Sequence, residues 1–113
     1  MAVAARAEDA PPPPESPRLA LTYAAPPECP TEADFGARLA QRTRDRGVDG
    51  AILDLRRFEI RITTLPGGAR ADITAFDPGG RRTERRLDAA TCAEAVDAAA
   101  LVVALTLEEA RAV

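Results

Sequence analysis

Two turn sequences, Pro66-Gly67-Gly68 and Asp77-Pro78-Gly79-Gly80, bracket a stretch just long enough for one strand, and this spacing constrains the fold more than any other feature. Before the first turn, Leu55 to Thr64 places Phe58, Ile60 and Ile62 on one side and Glu59, Arg61 and Thr63 on the other, the two-residue period of a half-buried strand. Between the turns, Ala69 to Phe76 returns antiparallel with Ala71, Ile73 and Ala75 facing inward. After the second turn, Arg81 to Leu87 adds a third strand, polar enough to be partly exposed or to lie at an edge. A meander with one apolar face needs a covering layer, and the flanking segments supply it.

Upstream, Leu19, Leu21 and Tyr23 alternate with Ala20 and Thr22 as a strand that Pro26-Pro27 stops. Thr31 then caps a helix with Asp34 three residues on, Phe35 and Leu39 share one face, and the helix runs to about Asp45, ending before Gly47. Residues 47–54 form a connection. Downstream, Thr91 and Glu94 make the capping box Thr-x-x-Glu of a last helix, with Cys92 in its first turn. From Ala95 to Leu107 only Asp97 and Thr106 are polar, so this helix is buried on more than one side. Its uninterrupted apolar run, Ala98 to Leu105, is far short of the roughly 20 residues that span a bilayer. The resulting order, β-α-β-β-β-α, predicts an α+β two-layer sandwich with both helices on one face of a mainly antiparallel sheet. The pattern leaves the pairing of the first strand open. Residues 17–108 read as the single domain, 1–16 as a disordered alanine- and proline-rich leader, and 109–113 as a tail.

Composition decides what such a domain can do. With 46% hydrophobic but only 4% aromatic residues, the core consists of short aliphatic side chains that individually bury little area, so it benefits from a covalent staple. The 15 basic residues, all arginine, against 18 acidic ones give a net charge of -3, which argues against nucleic acid and anionic membrane as partners. There is no histidine, lysine or tryptophan, and Ser16 is the only serine, so most groups used for proton transfer and nucleophilic attack are missing. A non-enzymatic role without cofactor or metal is the expectation. The exclusive use of arginine, alongside abundant alanine, proline and glycine, fits a GC-rich coding bias and is weak grounds for a binding site.

Ala5-Arg6-Ala7 ahead of Glu8-Asp9 has the small-x-small pattern that precedes signal-peptidase cleavage, without the charged and apolar regions that belong before it. Residues 1–7 read either as the stub of an export signal or as an ordinary disordered leader. Pro11 to Pro14 is an extended polyproline run.

Cys29 lies just before the cap of the first helix and Cys92 just after the cap of the second. If the helices lie side by side and run in similar directions, their beginnings meet within disulfide distance. Three other readings compete. A redox pair at helix starts lacks the Cys-x-x-Cys spacing. A metal site would have only carboxylates to complete it, a poor set for zinc. In a reducing compartment both residues would be inert buried thiols.

Glu28-Cys29-Pro30, Thr91-Cys92-Ala93-Glu94, Val96-Asp97-Ala98 and Leu101-Val102-Val103-Ala104-Leu105 resemble a two-cysteine domain recurring in exported envelope proteins of myxobacteria and their relatives. The resemblance covers about residues 17–107 and includes the arginine-rich hairpins between the cysteine motifs. It implies a periplasmic domain that follows a signal peptide and often precedes a proline-rich linker and a membrane-associated region, with no catalytic residues to carry over. This chain departs in lacking a full signal peptide and a second region.

Two surfaces stand out. Arg82 and Arg86 share one strand face with Glu84 between them, while Arg81 and Arg85 share the other; the first pair is a candidate anion site, set against the simpler reading of a charged, protected edge strand. Leu101, Val102 and Leu105, on the second side of the last helix, are candidates for binding an envelope protein or a second copy of the chain. Gly67-Gly68 and Gly79-Gly80 lack the residues and following helix of a phosphate loop and read as turns. Asp72, Asp77 and Asp88 fall near strand ends without a recognisable partner group for acid-base work. The function expected is a non-enzymatic, exported envelope module acting by protein interaction or as a scaffold. A periplasmic thiol-disulfide protein or envelope enzyme using Cys29 and Cys92 is the alternative, and a cytoplasmic nucleic-acid-associated domain is disfavoured by charge.

Overall fold

The computed structural model describes residues 20–47, 57–77 and 79–112. The leader, Leu19, Leu55 and most of the connection between the first helix and second strand lie outside the described residues. The elements are β1 (Ala20–Ala24), α1 (Glu32–Asp45), β2 (Arg57–Leu65), β3 (Gly68–Phe76), β4 (Arg82–Ala89) and α2 (Cys92–Ala112), in the expected order. α2 continues past Leu107, where the apolar pattern ends, into the segment read as a tail.

The four strands form one sheet in sequence order, β1-β2-β3-β4. Both turns act as anticipated: Gly67 and Gly80 take φ of 81° and 87°, conformations that cost glycine nothing, and the strands they join are antiparallel. Phe58 lies opposite Ala75, Ile60 opposite Ile73 and Ile62 opposite Ala71, so the inward residues form one apolar face. Gly68 is required for another reason, since a Cβ there would run into the carbonyl oxygen of Ala89.

β1 differs from the expectation of a mainly antiparallel sheet. It pairs parallel to β2, with Leu21 opposite Phe58 and Tyr23 opposite Ile60, which makes the sheet mixed. Adjacent parallel strands require a crossover that returns the chain to the starting end, and α1 lies within that connection.

Both helices cover the apolar face. α1 contributes Phe35 and Leu39, while α2 buries Ala95, Val96, Ala99, Ala100, Val103, Ala104 and Leu107 with no exposure at all. The alanines let the helix backbone approach the sheet closely, which is how so few aromatic rings fill the core. Three arginines spaced four apart, two on α1 and one at its C-terminal cap, fix the helices against each other. Arg38 donates to the Ala93 carbonyl (3.1 Å), Arg42 to Asp97 (2.6 Å) and Arg46 to Glu108 (2.9 Å). Since the partners ascend in the same order, α1 and α2 run side by side in the same direction. Partly exposed ion pairs of this kind contribute at most about 1 kcal/mol each, so they set alignment more than stability. No described helix is long and apolar enough to cross a membrane.

Candidate functional site

The parallel helices bring their N-termini together, and the two cysteines meet there. The Cys29 amide donates to the Pro26 carbonyl (3.0 Å), closing a tight turn ahead of the Thr31 cap. Tyr23 holds the same turn from below: its hydroxyl donates to the Pro30 carbonyl (2.7 Å), and its ring stacks on Phe35 with centroids 5.2 Å apart. Burial is the main cause of a tyrosine pKa above the ordinary value. Thr31 and Asp34 form the complete capping box. At α2 the Thr91 hydroxyl accepts from the Glu94 amide (3.1 Å), but the Glu94 carboxylate accepts from Ala90 rather than from the cap residue itself (3.2 Å). Cys29 and Cys92 are bonded, with Cα atoms 5.6 Å apart. Cys29 is only 5% exposed and Cys92 is half-buried, so the bridge lies at the margin of the core. Among the described residues no cluster of three or more His, Cys, Asp or Glu side chains is placed to hold a metal ion.

Among the described residues no helix covers the opposite face of the sheet. Arginines and carboxylates from the three long strands pair across it: Arg70 with Asp88 through two bonds (2.8 and 3.2 Å), Arg86 with Asp72 (2.7 Å), Arg82 with Glu84 (3.3 Å) and Arg57 with Glu59 (3.1 Å). The guanidinium of Arg57 also lies 3.8 Å over the Phe76 ring. The Arg70 hydrogen bonds hold the Asp88 carboxyl below the usual carboxylate range. A shallow trough of about 940 Å³ crosses this face, bordered by Thr22, Glu59, Arg61, Asp72, Thr74 and Arg86. Arg61 is the one arginine of the face with no ion-pair partner among the described residues.

Arg82 and Arg86 lie together on this face and both are more than half exposed, but each already faces a carboxylate. Arg85 points the other way, as strand alternation requires, and β4 is an edge strand. The three α2 candidates differ in exposure. Leu105 is 37% exposed, whereas Leu101 and Val102 are partly covered. Val102 lines a cleft of about 210 Å³ with Ile73, Ala75, Arg85, Thr106 and Glu109, which Leu101 and Leu105 do not border. This cleft had no signal in the sequence. The arginine ladder of α1 and its cap did have one, in the four-residue spacing of Arg38, Arg42 and Arg46.

No family model matches the chain, and no curated protein matches it. Among the solved structures that match its fold are two of ribosomal or protein Y type. The N-terminal domain of protein Y from Thermus thermophilus is 18% identical, with a TM-score of 0.52 over 83% of this chain and 99% of that one. A ribosomal subunit interface protein from Coxiella burnetii is 10% identical, with a TM-score of 0.55 over 84% of this chain and 100% of that one. At these identities the likeness is one of fold.

Proposed function

We propose that the chain is a non-catalytic, exported module of the cell envelope, and that it works by presenting the helix-free face of its sheet to a protein partner. The bond between Cys29 and Cys92 carries this reading, because a bridge built into the fold persists in oxidising compartments and is rare where thiols are kept reduced. Among the described residues the α2 side offers a partner little apolar surface, with Leu105 its one exposed large apolar side chain. The sheet face offers a broad hydrated lattice of both charge signs, suited to a polar, specific and modest-affinity contact. Burial of Cys29 and the lack of Cys-x-x-Cys spacing count against a thiol-disulfide catalyst.

The fold likeness to ribosome-associated domains favours a competing reading in which the chain binds RNA in the cytoplasm. Charge opposes it. On the helix-free face Arg57, Arg61, Arg70, Arg82 and Arg86 stand against Glu59, Asp72, Glu84 and Asp88, nearly cancelling, and the whole chain is at -3. Fractionation of the native host carrying an epitope-tagged full-length chain separates the two. Release with the periplasmic fraction supports export. Co-sedimentation with ribosomal particles in a salt-sensitive manner would overturn it.

A further inference from the structure

β4 forms an outer edge of the sheet, and among the described residues nothing pairs with its free side. Its exposed backbone groups can be identified. The Asp77 amide donates to the Arg81 carbonyl (3.0 Å), and in an antiparallel ladder successive residues turn both backbone groups toward the partner, then both away. Counting from Arg81, it is Arg82, Glu84, Arg86 and Asp88 that turn theirs to the free edge. The side chains of these same four residues stand on the helix-free face, and their charges read plus, minus, plus, minus.

That order is its own complement when reversed. We propose that β4 pairs antiparallel with β4 of a second copy, joining two sheets into one of eight strands. A two-fold axis relating the strands must lie perpendicular to the sheet, which keeps the helices of both copies on the same side and restricts the register to steps of two residues. With the axis at Arg85, Arg82 faces Asp88 of the second copy and Glu84 faces Arg86, each pair occurring twice. Sliding the partner two residues one way sets Glu84 against itself and Arg82 against Arg86. Sliding it the other way sets Arg86 against itself and Glu84 against Asp88. Slides of four residues keep just one kind of attractive pair, Arg82 with Glu84 or Arg86 with Asp88, so the register centred on Arg85 is the one that engages all four charged residues attractively, and charges that ordinarily guard an edge here favour that register.

The pairing also extends the ion-pair rows of each sheet. Asp72 and Arg86 are already bonded, and Glu84 of the second copy continues that row; Arg70 and Asp88 are bonded, and Arg82 of the second copy continues theirs. On the helix side Thr83 meets Leu87 of the second copy, covering a leucine that the monomer leaves partly open. The opposing feature is Arg85, which meets its own counterpart across the axis. Glu109 borders the same cleft as Arg85, which puts a carboxylate on the same side of the sheet in each copy.

Sedimentation velocity of the oxidised full-length chain, over a concentration series at low and high ionic strength, tests this. A dimer weakened by salt is expected. Glu84→Arg and Arg86→Glu each replace two attractive cross-strand pairs by two repulsive ones, and each should weaken self-association by at least about tenfold. An equimolar mixture of the two variants regains both attractive pairs and should re-form a dimer, an outcome that general damage to the strand cannot produce. Arg44→Glu, an equal charge change on the exposed side of α1, should leave the dimer intact, and circular dichroism checks that every variant is folded. A wild-type chain that stays monomeric throughout, single variants that associate as tightly as wild type, or a mixture that remains monomeric would each overturn the proposal.

Discussion

Breaking the bond between Cys29 and Cys92 isolates what the clamp does, because reduction leaves every other native atom in place. The cysteines are 63 residues apart in sequence. In the chain-entropy treatment, closing a loop of that length removes about 4 kcal/mol worth of freedom from the denatured chain at 25 °C. The folded side changes little. Tyr23 still holds Pro30, and Arg38 still reaches Ala93, so the two helix starts remain together without the bond. The loss therefore falls mainly on the denatured state, with two signatures in urea titrations followed by far-ultraviolet circular dichroism. Stability falls by about 4 kcal/mol, equivalent to a drop of roughly 15–30 °C in Tm for a domain of this size. The m value also rises, because the uncrosslinked chain exposes more surface on unfolding. A Cys29→Ala, Cys92→Ala double variant should match the reduced protein apart from the small cost of lost sulfur packing. Equal midpoints and m values for oxidised and reduced protein would refute the argument.

Two further outcomes follow from local geometry. Gly36 lies on the exposed side of α1 with nothing near a built Cβ, so Gly36→Ala should stabilise by about 0.5–1 kcal/mol; Gly68→Ala, driven against the Ala89 carbonyl, should destabilise by about 1–3 kcal/mol, both read by urea denaturation. Asp88 is held low chiefly by its Arg70 hydrogen bond, and Asp34 chiefly by the Thr31 amide. Because both are depressed in the fold, their stabilising effect is complete above the unfolded carboxylate value of about 3.9 and disappears as pH falls through the lower folded values. Asp88→Asn and Asp34→Asn should each flatten the acid limb of a stability-pH profile, and an unchanged limb in both would remove these contacts from the account.

The parts of the fold legible in the sequence were those set by neighbours in the chain. Gly67 and Gly80 mark the turns, Thr31 and Thr91 start the helices, and the alternation through Ile60, Ile62 and Ile73 names the buried face. The parallel placement of β1 was not legible, since five residues carry no register signal and the choice depends on how α1 returns over the sheet. The same distinction applies to the surfaces. Alternation along β4 shows that Arg82 and Arg86 share a face, yet that Arg86 meets Asp72 follows only once β3 and β4 are in register. Most of the apolar surface of α2 is absorbed by close contact with a sheet whose facing residues include Ala69, Ala71 and Ala75, while Leu101, Val102 and Leu105 keep part of theirs open.

Whether Cys29 and Cys92 form a covalent clamp in an oxidising compartment is read from the intact mass of the chain isolated from its native host and alkylated without reductant. The account predicts a mass two hydrogens below that of the reduced chain and no alkylation, with both thiols appearing after reduction. Two alkylated cysteines in the unreduced sample would contradict it.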